Sequence, residues 1–268
     1  MKLFYRKFGK GQPLIILHGL FGQSDNWNTL AKRFAESGFE VYTVDQRNHG
    51  LSPHSAIWNY QAMSDDILEL INDNGLHHIV LLGHSMGGKV AMMFALQHPE
   101  LLDKLIVADI GPKYYPPHNQ DVLTALNSVD FNVIKTRKEA EAVLEKNIAD
   151  FGTRQFLLKN IYWKETPGVS HEKEDKLDWR FNLETISEQI ENVGEAAPDG
   201  STCNVPALFI RGGASNYILD SDINLIHDIF PNSILETIPG AGHWVHAEKP
   251  KEFFECVIKF IGSSPPLL

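Results

Sequence analysis

The sequence predicts an α/β fold: a doubly wound, mostly parallel sheet with an inserted helical cap. Three observations predict it. Between residues 12 and 110, short apolar runs alternate with stretches of helical spacing, the rhythm of strand–helix–strand units. One junction in that rhythm, Ile79-Val-Leu-Leu-Gly-His-Ser85-Met-Gly-Gly88, is an apolar strand that breaks into Gly-x-Ser-x-Gly. It runs straight into Lys89-Val-Ala-Met-Met-Phe-Ala-Leu96, which has helical spacing. From Pro112 to about Gly200 no strand run is read, and the alternation resumes at Ala207.

Composition bounds the function. A chain of 268 residues can bury one full core and carry one inserted subdomain. Hydrophobic residues at 43% and charged residues at 22% are those of a globular protein. A net charge of −10 with no basic stripe argues against a nucleic-acid partner. Cys203 and Cys256 make no disulfide framework and lack metal-ligand spacing, so they read as reduced thiols, and neither a metal nor another cofactor is expected. Met1–Phe8 has no long apolar stretch, and no segment reaches the ~18 apolar residues of a spanning helix. The expectation is a soluble, cytoplasmic protein without a membrane span, a monomer or weak homodimer.

The elements follow in order. Leu3–Phe8 alternates as a first strand, turning at Gly9–Pro13, and Leu14–Leu17 is a continuous apolar run of the kind buried on both faces. It ends in His18-Gly-Leu-Phe-Gly22, a glycine loop suited to presenting backbone amides to a ligand. Asp25–Ser37 reads as a helix with Trp27, Leu30 and Phe34 on one face, capped by Asp25 or Ser24. Phe39–Val44 is a strand, followed by the polar loop Asp45-Gln-Arg-Asn-His-Gly-Leu-Ser52, in which Asp45 and Arg47 are expected to pair. Tyr60–Asn72 is a helix, and Leu105–Ile110 a buried strand with Asp109 at its carboxyl end.

The insert, residues 112–200, separates two parts of the core, 1–111 and 201–268. Thr136–Asp150, Phe151–Trp163 and Asn182–Asn192 read as its helices, with Pro116-Pro117 and Thr166-Pro-Gly168 between them and Glu172–Lys176 as a solvated turn. Tyr114, Tyr115, Phe156, Trp163, Trp179 and Phe181 are candidates to line an apolar channel. Ala207–Arg211, Asp222–Phe230, Ile234–Ile238 and Pro250–Phe260 then read as strand, helix, strand and closing helix, with a frayed tail at Ser263–Leu268.

The chemistry converges on Ser85. A serine hydroxyl becomes nucleophilic when a base takes its proton and a carboxylate orients that base. The base is His243, in the glycine-rich loop after the last strand, whereas His246 reads as the start of the next helix and His49 precedes the serine. Chain order places the acid between them. Asp109, Asp220 and Asp222 all remain candidates on position alone, because Ser215 stands where the acid most often follows the next-to-last strand. The amides of Met86 and Leu20, with Phe21 next, are the expected oxyanion donors. Phe21, Trp163 and Trp244 are the expected substrate-contacting aromatics.

These motifs, with Asp109-Ile-Gly-Pro112, Trp179-Arg-Phe-Asn-Leu183, Phe209-Ile-Arg-Gly-Gly-Ala-Ser215 and Gly240-Ala-Gly-His-Trp-Val-His-Ala-Glu-Lys-Pro250, resemble the YbfF-type esterases of the α/β-hydrolase superfamily over nearly the whole length. The resemblance implies that Asp109 is the acid, with Ser215 beside it. It also implies hydrolysis of short-to-medium acyl esters in a narrow pocket under helical arms. A small acyl ester or thioester is then the partner. An acyl-CoA thioesterase would use the same groups, with Lys113, Arg137, Lys138 or Arg154 at the cap mouth for the anionic CoA. A ligand receptor on this fold, turning over slowly, is the reading from another class.

Overall fold

The computed structural model describes residues 1–116, 120–164 and 176–262. Strands β1 (Tyr5–Phe8), β2 (Gln12–Leu17) and β3 (Phe39–Val44) surround helix α1 (Asn28–Glu36) in the chain. Helix α2 (Tyr60–Asn74) is capped by Asn59 at its start and ends on Gly75 at φ 59°, a left-handed stop. Strand β4 (Ile79–His84), helix α3 (Met86–Gln97) and strand β5 (Leu102–Ala108) complete the first half.

After the insert come β8 (Ala207–Gly212), α8 (Ile223–Ile229), β9 (Ser233–Ile238), α9 (Val245–Glu248) and α10 (Pro250–Gly262). The insert holds α4 (Gln120–Asn127), α5 (Arg137–Leu144), α6 (Phe151–Leu158), β6 (Ile161–Lys164), β7 (Lys176–Trp179) and α7 (Leu183–Glu188). The main sheet runs β1-β3-β2-β4-β5-β8-β9, with β1 antiparallel to β3 and every other pair parallel.

Alternate residues of the central strands feed two layers. Ile15, Leu17, Leu81, Leu105 and Val107 pack with Ile67 of α2 and Phe94 of α3 on one face. Leu14, Ile16, Val80, Leu82 and Ile106 pack with Leu30 and Phe34 of α1 and Phe253 and Val257 of α10 on the other. Both faces being covered, each strand reads as unbroken apolar sequence, and each such buried side chain contributes about 1.5–3 kcal/mol.

Several local readings are corrected. The insert is not strand-free: Ile161–Lys164 and Lys176–Trp179 pair as an antiparallel ribbon, so the helix expected over Phe151–Trp163 ends at Leu158. The helix expected over Thr136–Asp150 is limited to Arg137–Leu144, and Gln120–Asn127 forms a helix not read from the sequence. Ser24–Trp27 is a single 3₁₀ turn with Gln23 at its cap position, so neither Ser24 nor Asp25 caps α1. Asp45 and Arg47 do not pair with each other. Arg47 forms a buried bidentate pair with Asp66 of α2 (2.6 and 2.8 Å), while Asp45 accepts the amides of Ser24 and Leu51 (2.5 and 2.8 Å). Pro117, Thr166-Pro-Gly168, Glu172–Asp175 and the Ser263–Leu268 tail lie outside the described residues.

The β4–α3 turn depends on missing side chains. A Cβ on Gly83 would stand 2.1 Å from the Gly87 carbonyl oxygen, and one on Gly87 2.5 Å from that of Leu17. Both obstacles are backbone and cannot rotate away. Gly83→Ala should therefore lower the unfolding free energy by about 1–3 kcal/mol in urea denaturation; an unchanged midpoint would mean that the turn has slack.

Candidate active site

Ser85 is the turn residue between β4 and α3, held at φ 53° and ψ −120°. A non-glycine residue with positive φ is strained, and such strain persists only where the surroundings over-determine it. Here the Ser85 amide donates to Ala108 O of β5 (3.0 Å), and its carbonyl accepts Lys89 N–H in α3 (3.1 Å). Along Leu81–Val90, Ser85 alone stays partly exposed.

The structure brings the hydroxyl to His243, whose Nε2 lies 3.0 Å from Ser85 Oγ. His243 Nδ1 lies 2.7 Å from Asp109 Oδ2. Asp109 is fully buried, at φ 51°, and its Oδ1 accepts Gly212 N–H (2.9 Å). Ser215 Oγ donates to the same Oδ2 (2.5 Å) and accepts Tyr217 N–H (3.2 Å). The other acid candidates lie elsewhere: Asp220 pairs with Arg211 (2.7 Å), and Asp222 with Lys113 (2.5 Å). His246 is buried on α9, with its ring stacked on Trp27 at 4.1 Å.

The expected oxyanion donors differ in availability. Met86 is the first residue of α3, so its amide has no intrahelical acceptor. Phe21 N–H donates to His49 Nε2 (3.2 Å) and is taken, while no protein acceptor for Leu20 N–H occurs among the described residues. The positive end of α3 adds its dipole at Met86. Such an arrangement can hold a developing negative oxygen beside an activated hydroxyl.

A cavity of about 610 Å³ opens over Ser85, within the range of small-molecule sites. Phe21, Trp244, Tyr115 and Phe156 line it, as do Ile190 and Val193 of the insert. Trp163 is not among the lining residues: on β6 it is 57% exposed, because the ribbon turns it outward. Tyr114 is exposed too, and Trp179 and Phe181 stack on each other inside the insert. The cations expected for a CoA group are largely engaged. Lys113 pairs with Asp222, Arg137 donates to Ile161 O (2.9 Å), and Arg154 is buried, donating to Ile148 O and Ala149 O (2.9 and 2.8 Å).

One contact was missed in the sequence. The Tyr217 ring stacks on the His243 imidazole at 3.7 Å and 14°, and Tyr115 Oη donates to Tyr217 O (2.6 Å). Its only cue is its place two residues after Ser215 in a loop at the sheet's carboxyl edge. Lys89 lines the cavity from α3, donating to Lys113 O and Glu195 O, and burial lowers its pKa to about 7.

The family-model comparison matches residues 12–250 to the α/β hydrolase fold. This chain belongs to the α/β-hydrolase family. Among relatives of this α/β-hydrolase, the sn-1-specific diacylglycerol lipase ABHD11 of Mus musculus is 38% identical over 255 residues, 92% of this chain and 80% of that protein. Esterase YbfF of Escherichia coli is 33% identical over 252 residues, 93% of this chain and 92% of that one. A marine microorganism esterase of solved structure superposes with a TM-score of 0.91 at 43% identity, covering 97% of this chain and 99% of its own. The chain thus falls with the YbfF-type esterase group, and hydrolase activity of the esterase type is supported. Among the described residues, no helix is long and apolar enough to cross a membrane.

Burial makes the histidines around this site sensitive to acid. It lowers the pKa of His18 to about 4, and of His49 and His246 to about 3, from an ordinary value of 6.5. Each is neutral when folded and takes up a proton below pH 6.5 when unfolded. Stability from these groups is complete above that pH and falls as pH drops toward their folded values. Urea unfolding from pH 7.5 down to about pH 4 should show stability falling by up to about 1.4 kcal/mol per pH unit for each such histidine. His246→Phe should flatten that slope, and an unchanged slope would remove His246 from the account.

Proposed function

We propose that this α/β-hydrolase is a serine carboxylic-ester hydrolase acting on short-to-medium acyl esters through a covalent acyl-enzyme. One observation carries the reading: the unbroken hydrogen-bonded chain Ser85–His243–Asp109 beneath the cavity. Ser85 Oγ attacks the ester carbonyl carbon while His243 Nε2 takes its proton. The carbonyl π-electrons move to the oxygen, which the amides of Leu20 and Met86 hold. Asp109 fixes Nδ1–H of the imidazole and stabilises the imidazolium, and Ser215 keeps the carboxylate in place. The tetrahedral intermediate collapses, the ester C–O bond breaks, and His243 protonates the departing alcohol. Water, deprotonated by His243, then attacks the acyl-enzyme and releases the acid and Ser85.

The acyl group belongs under the insert, where Tyr115, Phe156, Ile190 and Val193 supply an apolar wall, and residues 112–200 act as the cap. A cavity of this volume suits short-to-medium chains better than long ones. The names of the lipase and esterase relatives support an ester substrate, and the exposed Trp163 has no place in this account.

Steady-state hydrolysis of p-nitrophenyl esters from acetate to palmitate is the direct test. Ser85→Ala should lose at least about 10⁴-fold in kcat. Asp109→Asn should lose about 10²–10⁴-fold, while Asp220→Asn and Asp222→Asn stay near wild type. Full turnover in Ser85→Ala would sink the reading. At most one slow turnover in the wild type would favour a receptor instead.

Chain-length preference gives a separate check. Phe156→Ala and Val193→Ala should move the optimum to longer acyl chains, by about one to three methylenes for the volume removed at ~0.8 kcal/mol each. Trp163→Ala should leave the profile where it is. Identical profiles in all three variants would remove the insert from substrate selection.

A further inference from the structure

Gly19–Gly22 is a tight turn, closed by Gly22 N–H to Gly19 O (2.9 Å), with Leu20 and Phe21 at its centre. Phe21 sits at φ 59°, which costs a bulky residue about 1–3 kcal/mol and needs outside support. Both polar groups of its backbone have that support. Phe21 N–H donates to His49 Nε2 (3.2 Å), and Phe21 O accepts from Asn160 Nδ2 (2.8 Å).

The two supports come from different parts of the molecule. His49 is fully buried in the loop after β3, its Nδ1 lying 3.0 Å from Arg47 O. A donor at Nδ1 leaves Nε2 as the acceptor that the Phe21 amide requires. Arg47 is itself fixed on Asp66. Asn160 lies between α6 and β6 in the insert, 1% exposed, and Phe181 of the insert packs its ring against that of Phe21 at 5.0 Å.

We propose that His49 and Asn160 are positioning residues that grip the Phe21 backbone, one from the core and one from the cap, and thereby aim the Leu20 amide at the reacting oxygen over Ser85. The inference rests on the serine-hydrolase reading and extends it. The oxyanion half of the site is complete only when the cap is seated, because one of the two grips belongs to the cap. An oxyanion donor acts through its fixed position, so releasing either grip weakens transition-state binding and leaves ground-state binding alone.

The test uses the full chain with His49→Leu, His49→Gln and Asn160→Leu, each checked for folding by circular dichroism. Kinetics on p-nitrophenyl butyrate are compared with inhibition by a trifluoromethyl ketone, which forms a tetrahedral oxyanion on Ser85, and by the matching carboxamide, which does not. His49→Leu and Asn160→Leu should each lower kcat by about 10–100-fold, with KM within about threefold. The trifluoromethyl ketone inhibition constant should rise by the same factor while that of the carboxamide holds, and His49→Gln, which keeps an acceptor, should recover most of the loss.

Equal weakening of both inhibitors, or kcat near wild type in folded Asn160→Leu, overturns the proposal. Asn160→Leu decides alone if His49→Leu does not fold. Ser85→Ala, run alongside, separates the two levels: activity surviving there removes the underlying reading, whereas an inactive Ser85→Ala with unaffected grip variants removes only this inference.

Discussion

Asp109 is a carboxylate with no exposure to water, and a buried charge is tolerated only when its oxygens are satisfied. Three donors meet it: Gly212 N–H at the end of β8, Ser215 Oγ in the following loop, and His243 Nδ1 in the loop after β9. The carboxyl edges of three strands are thereby drawn to one point. Its own backbone, at φ 51°, is held by Asp109 N–H to Ile210 O (2.7 Å). The parallel β5–β8–β9 order is what makes these loops neighbours, and the position of His243 over Ser85 follows from it.

Buried histidines brace the site, and two of them, His18 and His84, also line the cavity. His18 Nε2 accepts Gln46 N–H (3.0 Å), His49 accepts Phe21 N–H, and His84 lies against the His243 carbonyl (2.9 Å). Burial holds all three below their ordinary pKa, and neutrality suits rings used as acceptors or as donors to a carbonyl. The Arg47–Asp66 pair ties this loop to α2, so the shape of the Gly19–Gly22 turn also depends on a helix that meets the cavity at its first residue, Tyr60. Rigid support of this kind is what an oxyanion site requires, since its donors must be oriented before the charge develops.

The insert supplies much of the cavity wall, including Tyr115, Val122, Phe156, Leu157, Ile190 and Val193. Lys89 donates to Lys113 O and Glu195 O, joining the segments that enter and leave it, and Tyr115 N–H meets Gly194 O (2.8 Å) between the same two segments. Further polar contacts join it to the core, with Tyr60 Oη donating to Val193 O and Tyr115 Oη to Tyr217 O (2.7 and 2.6 Å). The surface that faces the cavity is mainly apolar.

Much of the fold and part of the site were legible in the sequence. Strands buried on both faces appear as continuous apolar runs, and a turn that excludes side chains appears as Gly83, Gly87 and Gly88 around Ser85, because both constraints act on neighbouring residues. His243 could be read from its glycine loop after the last strand for the same reason. The partner of that histidine could not: Asp109 is 134 positions away, and Asp220 and Asp222 fit chain order equally well until Arg211 and Lys113 are seen to hold them. Arg47 likewise passes over nearby Asp45 for Asp66, and Trp163 leaves the expected helix because Ile161–Lys164 finds Lys176–Trp179 to pair with. Local sequence determined the strands of the main sheet, the serine turn and the two loops that carry Ser85 and His243. Tertiary structure alone decided which carboxylate meets the histidine, which amide stays free and which aromatics face the cavity, because each depends on the geometry between groups far apart in the chain.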